Sequence, residues 1–218
     1  MGEINLLDLY PRTKRPIAER AKIVTELDRA IARQFEKAFF DGDRRQGYGG
    51  YCYDGRWKPV AKRISEYYGL TSQDSILDVG CAKGFALHDF RDTLPGIKVA
   101  GIDVSRYAIS SAMESVKPYL CLANASHLPF PDKSFDLVLS INTIHNLEAN
   151  LCRRALQEME RVSRKHKFVV VDSYRNPDEK KKMEQWNLTA LTYFDTNRWK
   201  DFFKKAGYTG DFYWFFAE

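Results

Sequence analysis

"SILDVGCAKGFALHD", residues 75–89, is an apolar run that ends on an acid and breaks into glycine. Turns of this kind after a strand often wrap the phosphates of a nucleotide, so the spacing decides the reading. A dinucleotide fingerprint, G-x-G-x-x-G, needs its third glycine for close helix–strand packing. Counted from Gly80, the three positions are Gly80, Ala82 and Phe85, and a phenylalanine does not permit that approach. The P-loop pattern G-x-x-x-x-G-K-[ST] is absent as well. What stands here is acid-x-Gly-x-Ala-x-Gly, from Asp78 through Gly80 and Ala82 to Gly84. The readings that require a phosphate fail.

Outward from this stretch the chain alternates. "KPVAKRISEYYGL" before it reads as a helix stopped by Gly69. After it come "KVAGIDV", "RYAISSAMESV", "YLCLANA", "SFDLVLSI", "LCRRALQEMERVS" and "KFVVVDS", strand and helix patterns in turn. The strand patterns are short continuous apolar runs, as expected where helices cover both faces of a sheet. Such alternation predicts an α/β fold with a mostly parallel sheet. Nearer the start, residues 19–40 place Ile23, Leu27, Ala30, Ile31, Gln34 and Phe35 at helical spacing, which predicts one amphipathic helix.

The acid-glycine spacing resembles the first motif of the class I S-adenosylmethionine-dependent methyltransferases, (D/E)-x-G-x-G-x-G, with Ala82 at the middle glycine. Three further stretches follow in family order. "GIDVS" ends a second strand on Asp103, and "CLANASHLPFPDKSFDLVLSINTIHNL" resembles the family's G-D-A-x-x-L-P-F-x-D-x-S-F-D stretch. "LQEMERVSRKHKFVVVD" resembles the helix and fifth strand beyond it. The resemblance covers roughly residues 60–173. It implies a Rossmann-like fold with helices on both faces, and S-adenosyl-L-methionine as cofactor.

That cofactor carries a sulfonium, a ribose diol, an adenine and an amino acid, but no phosphate. In this reading Gly80 and Gly84 let the turn pass close under the ligand, with Cys81 and Ala82 contributing backbone. Asp78 orients the turn and holds the ligand's ammonium. Asp103, with Val104 beside it, offers two acceptor oxygens to the ribose hydroxyls. Asn124-Ala125 replaces the family's Asp-Ala beside the adenine; its carbonyl accepts from the adenine amino group and its amide donates to a ring nitrogen. Ser126 follows. After the fourth strand, Ser140, Asn142, His145 and Asn146 stand where strand ends face the crevice of an open α/β sheet. His145 has a suitable pKa for a base, with a capping or core histidine as the equal alternative, and Asn142 is suited to orienting an acceptor. The (D/N/S)-P-P-(Y/F) motif of base amino methyltransferases is missing, as is the Pro-Cys of the cytosine C5 enzymes.

Residues 1–59 read as a helical N-terminal cap with an aromatic lid. Residues 60–218 read as the methyltransferase domain, with 174–195 a substrate-side insertion. "YGGYCYDGRWKP" concentrates aromatics, glycines and Arg56. Tyr51 and Trp57 are its candidate contacts to the cofactor, and Arg56 is suited to an anionic acceptor. The alternative is aromatic packing on the sheet. The C-terminal "TGDFYWFFAE" reads as an edge strand, for which a homodimer partner is one expected cover.

Composition sets the outer limits. The chain has 218 residues, 44% of them hydrophobic, enough for one sizeable domain with an added cap. Cys52, Cys81, Cys121 and Cys152 form no C-x-x-C pair, which predicts free thiols, no metal site and a reducing compartment. The start lacks an apolar leader and Leu6 breaks the myristoylation pattern, so a cytoplasmic protein is expected. The net charge of +5 is scattered among 29 acids, which argues against a nucleic-acid partner. The expected acceptor is a polar small molecule, a sugar or nucleotide sugar among the options, methylated on oxygen or nitrogen. An RNA or protein substrate and a non-catalytic binder of the same cofactor are the alternatives.

Overall fold

The computed structural model describes residues 1–11, 15–49 and 51–218; Gly50 of the aromatic loop and residues 12–14 lie outside the described set. The chain begins with three short helices, α1 (Ile17–Ile23), α2 (Glu26–Ala32) and α3 (Lys37–Asp41), and then α4 (Lys58–Tyr68). The alternating part follows: β1 (Ser75–Val79), α5 (Phe85–Thr93), β2 (Lys98–Asp103), α6 (Arg106–Ser110), β3 (Leu120–Leu122) and β4 (Phe135–Ile141). It continues with α7 (Ala149–Val162), β5 (Ser163–Tyr174), α8 (Pro177–Trp186), β6 (Phe194–Asp195), α9 (Thr196–Ala206) and β7 (Asp211–Phe215).

The strands form one sheet in the order β3-β2-β1-β4-β5-β6, with β7 also on β5. Every strand pairing among the described residues is parallel. The order reverses between β1 and β4, and such a switch point opens a crevice at the carboxyl ends of the strands. Helices α4 and α5 supply Val60, Ile64, Leu87 and Phe90 to the core on one face. On the other, α7 and α9 supply Leu156, Met159, Trp199 and Phe203. Both faces are covered, so the strand interiors are mostly apolar and β1 is buried along its whole length.

The single helix expected over 19–40 is three helices. Thr25 starts a new one with a capping box, its hydroxyl accepting from Asp28 N–H and the Asp28 carboxylate accepting from Thr25 N–H. Phe35 then turns the chain with φ of 52°. The expected stripe consequently misses the core: Ile23 and Leu27 are 54% and 70% exposed. Ala32, Phe39 and Phe40 are buried instead. At the other end, β7 is covered in part by the chain's own start. Phe212 N–H donates to Gly2 O and Ile4 N–H to Phe212 O, at 3.0 and 2.9 Å.

Candidate active site

At the carboxyl ends of the strands lies a cavity of about 890 Å³, lined by the β1–α5 turn, the ends of β2, β4 and β5, and the N-terminal cap. This lies within the roughly 300–1,000 Å³ typical of small-molecule sites.

The turn from Gly80 to Gly84 is held from below. Gly80 N–H and Cys81 N–H both donate to Ile102 O, at 2.8 and 2.9 Å. Gly80 and Gly84 have φ of 89° and 77°. A Cβ on Gly80 would lie 2.2 Å from the Thr143 side chain, and one on Gly84 would lie 2.7 Å from Val116. The glycines therefore admit neighbouring protein side chains, which corrects the expectation that they make room chiefly for a ligand. Ala82 also adopts a left-handed φ, 50°, a conformation that costs a non-glycine residue roughly 1–2 kcal/mol.

Asp78, next to the last residue of β1, lies in the cavity wall, 7% exposed. Its carboxylate accepts no hydrogen bond from any described residue, and burial, reinforced by Asp103, pushes its pKa up to about 7. Asp103 is built differently. Oδ2 accepts from Ala82 N–H at 2.8 Å and Oδ1 from Ser105 N–H at 2.9 Å. Burial raises its pKa, with backbone N–H groups opposing. Each oxygen retains a second lone pair, so Asp103 both fixes the turn and has capacity left for a diol.

Val104, Asn124, Ala125 and Asn142 line the same cavity, as do Tyr51 and Trp57. Asn124 Oδ1 is already in use, accepting from Ser126 N–H and Ser126 Oγ, both at 2.9 Å. This corrects the adenine-amino contact: only the Asn124 amide is free to reach a ring. Ser126 forms that turn and is not in the cavity wall. Ser140 is fully buried with Oγ donating to Val79 O at 3.1 Å, so it staples β4 to β1 and is removed from the site. Cys81 is buried among Leu87 and Gly101, its thiol pKa raised first by burial.

His145 is in the wall but its ring is committed. Nδ1 accepts the Asp172 N–H at 3.0 Å, which leaves the neutral ring's proton on Nε2, and Nε2 lies 3.6 Å from Asp172 Oδ1. Burial lowers the His145 pKa and raises that of Asp172. Asp172 lies near the carboxyl end of β5, two residues before its last, so three acids at or near strand ends, Asp78, Asp103 and Asp172, share one cavity. The last was missed, although "KFVVVDS" carries the same signal as the other two strands, an apolar run stopped by an acid.

The cap closes over this. Tyr51 packs on Phe40 and Phe39, with ring centroids 4.8 and 5.4 Å apart, and Trp57 packs on Tyr10 at 4.8 Å. Tyr48 OH accepts Leu188 N–H at 2.7 Å. Tyr53 leaves the roof and donates to Asp89 at 2.7 Å. Arg56 is neutralised by Asp54, its Nε at 2.8 Å from both carboxylate oxygens, so it is no ready partner for an anionic acceptor. Lys83 reaches up from the turn to Asp41 on α3 at 2.6 Å, tying the cap to the β1–α5 turn.

Residues 77–171 match the Methyltransferase domain family. Over those residues the chain carries the signature of a methyltransferase domain. The match begins in β1 and ends in β5, and so takes in Asp78 and Asp103 and stops one residue short of Asp172. The demethylmenaquinone methyltransferase of Tropheryma whipplei (strain Twist) is 28% identical over 131 residues, 57% of this chain and 53% of that protein. The O-methyltransferase resE of Aspergillus sclerotiorum is 33% identical over 114 residues, 49% of this chain and 40% of that protein. The chain spans about half the length of the Tropheryma relative. Among solved structures, a chain of the complex between the Haloferax volcanii Trm112 methyltransferase activator and a methyltransferase aligns with a TM-score of 0.54. Its identity is 22%, over 71% of this chain and 73% of that one. A Bacillus halodurans C-125 methyltransferase aligns at 0.55 with 18% identity, over 67% and 68%. The two structures share the fold of this domain.

Proposed function

We propose that the protein is an S-adenosylmethionine-dependent methyltransferase that modifies oxygen or nitrogen of a polar small molecule, such as a sugar or nucleotide sugar. The observation that carries this is Asp78. A buried carboxylate without a protein partner, in the wall of a large cavity, calls for a cation from outside, and the cofactor's amino group is one. Asp103 takes the ribose hydroxyls, the Asn124 amide a ring nitrogen of the adenine, and Tyr51 and Trp57 close the site with aromatic surface that favours a nearby cation.

When bound, S-adenosylmethionine supplies an activated methyl group. The chain's own work is to position the acceptor and to take its proton. Asp172 is the base: its carboxylate accepts the acceptor's O–H or N–H proton. His145 is a positioning residue that holds Asp172 through its backbone N–H and faces its carboxylate with Nε2–H. Asn142 orients the acceptor by hydrogen bonding. The demethylmenaquinone and O-methyltransferase relatives support methyl transfer to a small molecule. The scattered charge supports a reading without nucleic acid, and the cysteine usage supports a cytoplasmic one. No helix among the described residues is long and apolar enough to cross a membrane.

Calorimetry tests the cofactor half. S-adenosylhomocysteine should bind and stabilise the protein by mass action, whereas NAD and ATP should not. Stabilisation by NAD alone overturns the assignment. Radiolabelled cofactor with fractionated metabolite extracts then identifies the acceptor.

A further inference from the structure

Five arginines line the cavity, and most are spoken for. Arg56 pairs with Asp54, Arg175 with Glu179 and Glu218, and Arg15 lies over the rings of Phe215 and Trp186. Arg33 and Arg44 also line the cavity, both exposed. Neither side chain has a carboxylate or hydrogen-bond partner among the described residues.

Their backbones are nonetheless fixed relative to one another. Arg33 caps the end of α2, whose Asp28 accepts Gln46 Nε2 at 3.1 Å and so ties α2 to the turn carrying Arg44. Arg20, 5% exposed, donates to the carbonyl oxygens of Arg44, Gly47 and Trp186 at 2.9, 3.3 and 3.1 Å. No described carboxylate balances Arg20; its charge lies against the rings of Tyr48 and Trp186. Burial, with Arg44 and Arg29 adding, depresses its pKa. A buried unbalanced cation thus lies against the backbone of an exposed one, in the wall of a cavity that also holds Asp78, Asp103 and Asp172.

We infer that Arg33 and Arg44 bind a phosphoryl group of the acceptor, a phosphate monoester or diphosphate, and hold it there while its polar body reaches Asp172. This rests on the methyltransferase reading for the identity of the ligand as acceptor. Two unpaired guanidiniums over a third cation match a dianion better than a single carboxylate, and guanidinium forks suit phosphate oxygens. The exposed arginines and the buried acids give the acceptor one orientation.

The test titrates inorganic pyrophosphate into the full chain, with and without saturating S-adenosylhomocysteine, for wild type, Arg33→Gln, Arg44→Gln and Arg56→Gln. Pyrophosphate should bind wild type, and each of the first two substitutions should weaken it about tenfold, the loss of one charge-assisted hydrogen bond. Arg56→Gln should leave it unchanged, and affinity for S-adenosylhomocysteine should be equal in all four. Both informative side chains are exposed, so a thermal melt matching wild type establishes folding. Failure of pyrophosphate to bind, or binding indifferent to Arg33 and Arg44, overturns the inference. So does acetate competing as well as pyrophosphate, or an RNA oligonucleotide binding more tightly and losing affinity in the same variants. Failure of S-adenosylhomocysteine alone to bind overturns the methyltransferase reading, and the pyrophosphate arm without it is read separately.

Discussion

Asp103 Oδ2 accepts the backbone N–H of Ala82 at 2.8 Å, so the acid that ends β2 holds in place the left-handed alanine of the neighbouring turn. One carboxylate thereby joins the two βα connections beside the cavity. Replacing Asp103 with Ala removes the support of that turn together with the acceptor proposed for the ribose. Affinity for S-adenosylhomocysteine should fall by on the order of 1.5–3 kcal/mol, as for hydrogen bonds to charged groups. Unchanged affinity in calorimetry would show that the ribose is held elsewhere.

Ala82→Gly isolates the strain. It relieves about 1–2 kcal/mol of left-handed backbone energy and gives back about 0.4–1 kcal/mol through a freer unfolded chain. The net expectation is a small rise in melting temperature with cofactor affinity preserved. A lowered melting temperature would mean that the Ala82 methyl, packed against the cluster that holds Phe39, Phe40 and Ala108, contributes more than the strain costs.

Gly80→Ala should act in the opposite direction and strongly. Its Cβ would stand 2.2 Å from Thr143 at a φ of 89°. Strain and overpacking together should destabilise by about 2–5 kcal/mol. Chemical denaturation reads this directly, and a loss below about 0.5 kcal/mol, the size of an ordinary surface change, would show that the turn readjusts freely.

Cofactor binding should depend on pH through Asp78. Its pKa in the free protein is raised to about 7, so below that pH the carboxyl is protonated and must lose its proton to receive a cation. Affinity should fall about tenfold per pH unit below 7 and level off above it. The same sign applies to the free fold: a raised carboxyl pKa withdraws stability as pH climbs from the ordinary carboxylate range to 7. Asp78→Asn should therefore melt higher than wild type at pH 8 while binding S-adenosylhomocysteine poorly. A flat affinity profile between pH 5.5 and 8 would remove Asp78 from the ligand's amino group.

Asp172→Asn should lower kcat by about 10²–10⁴, the range for a lost general base, with cofactor affinity retained. His145→Gln should lower it less and shift the acidic limb of the rate profile, because it acts through Asp172. Equal affinity and equal rate in both variants, measured with an identified acceptor, would leave the pair a structural contact only.

By itself the sequence determined the alternating fold and the acid-glycine turn after β1, because both are local. An apolar run stopped by an acid, followed by residues able to turn sharply, is read within a dozen positions, and so Asp78 and Asp103 were legible beside Gly80 and Gly84. Periodicity was a poorer guide near the start, where Thr25 and Asp28 cap a new helix and Phe35 turns the chain against the apolar spacing. Long-range contacts settled the rest. Ser140 stands at a strand end in sequence, yet its hydroxyl is spent on Val79 O inside the sheet. His145 looked free until β5 brought Asp172 N–H to its ring, 27 positions on. Arg56 looked available, but Asp54 takes its guanidinium, while Arg33 and Arg44 have no such partner. A side chain's type is a local property, but its remaining hydrogen-bonding capacity and net charge depend on whatever the fold packs against it, and that sum is closed only in three dimensions.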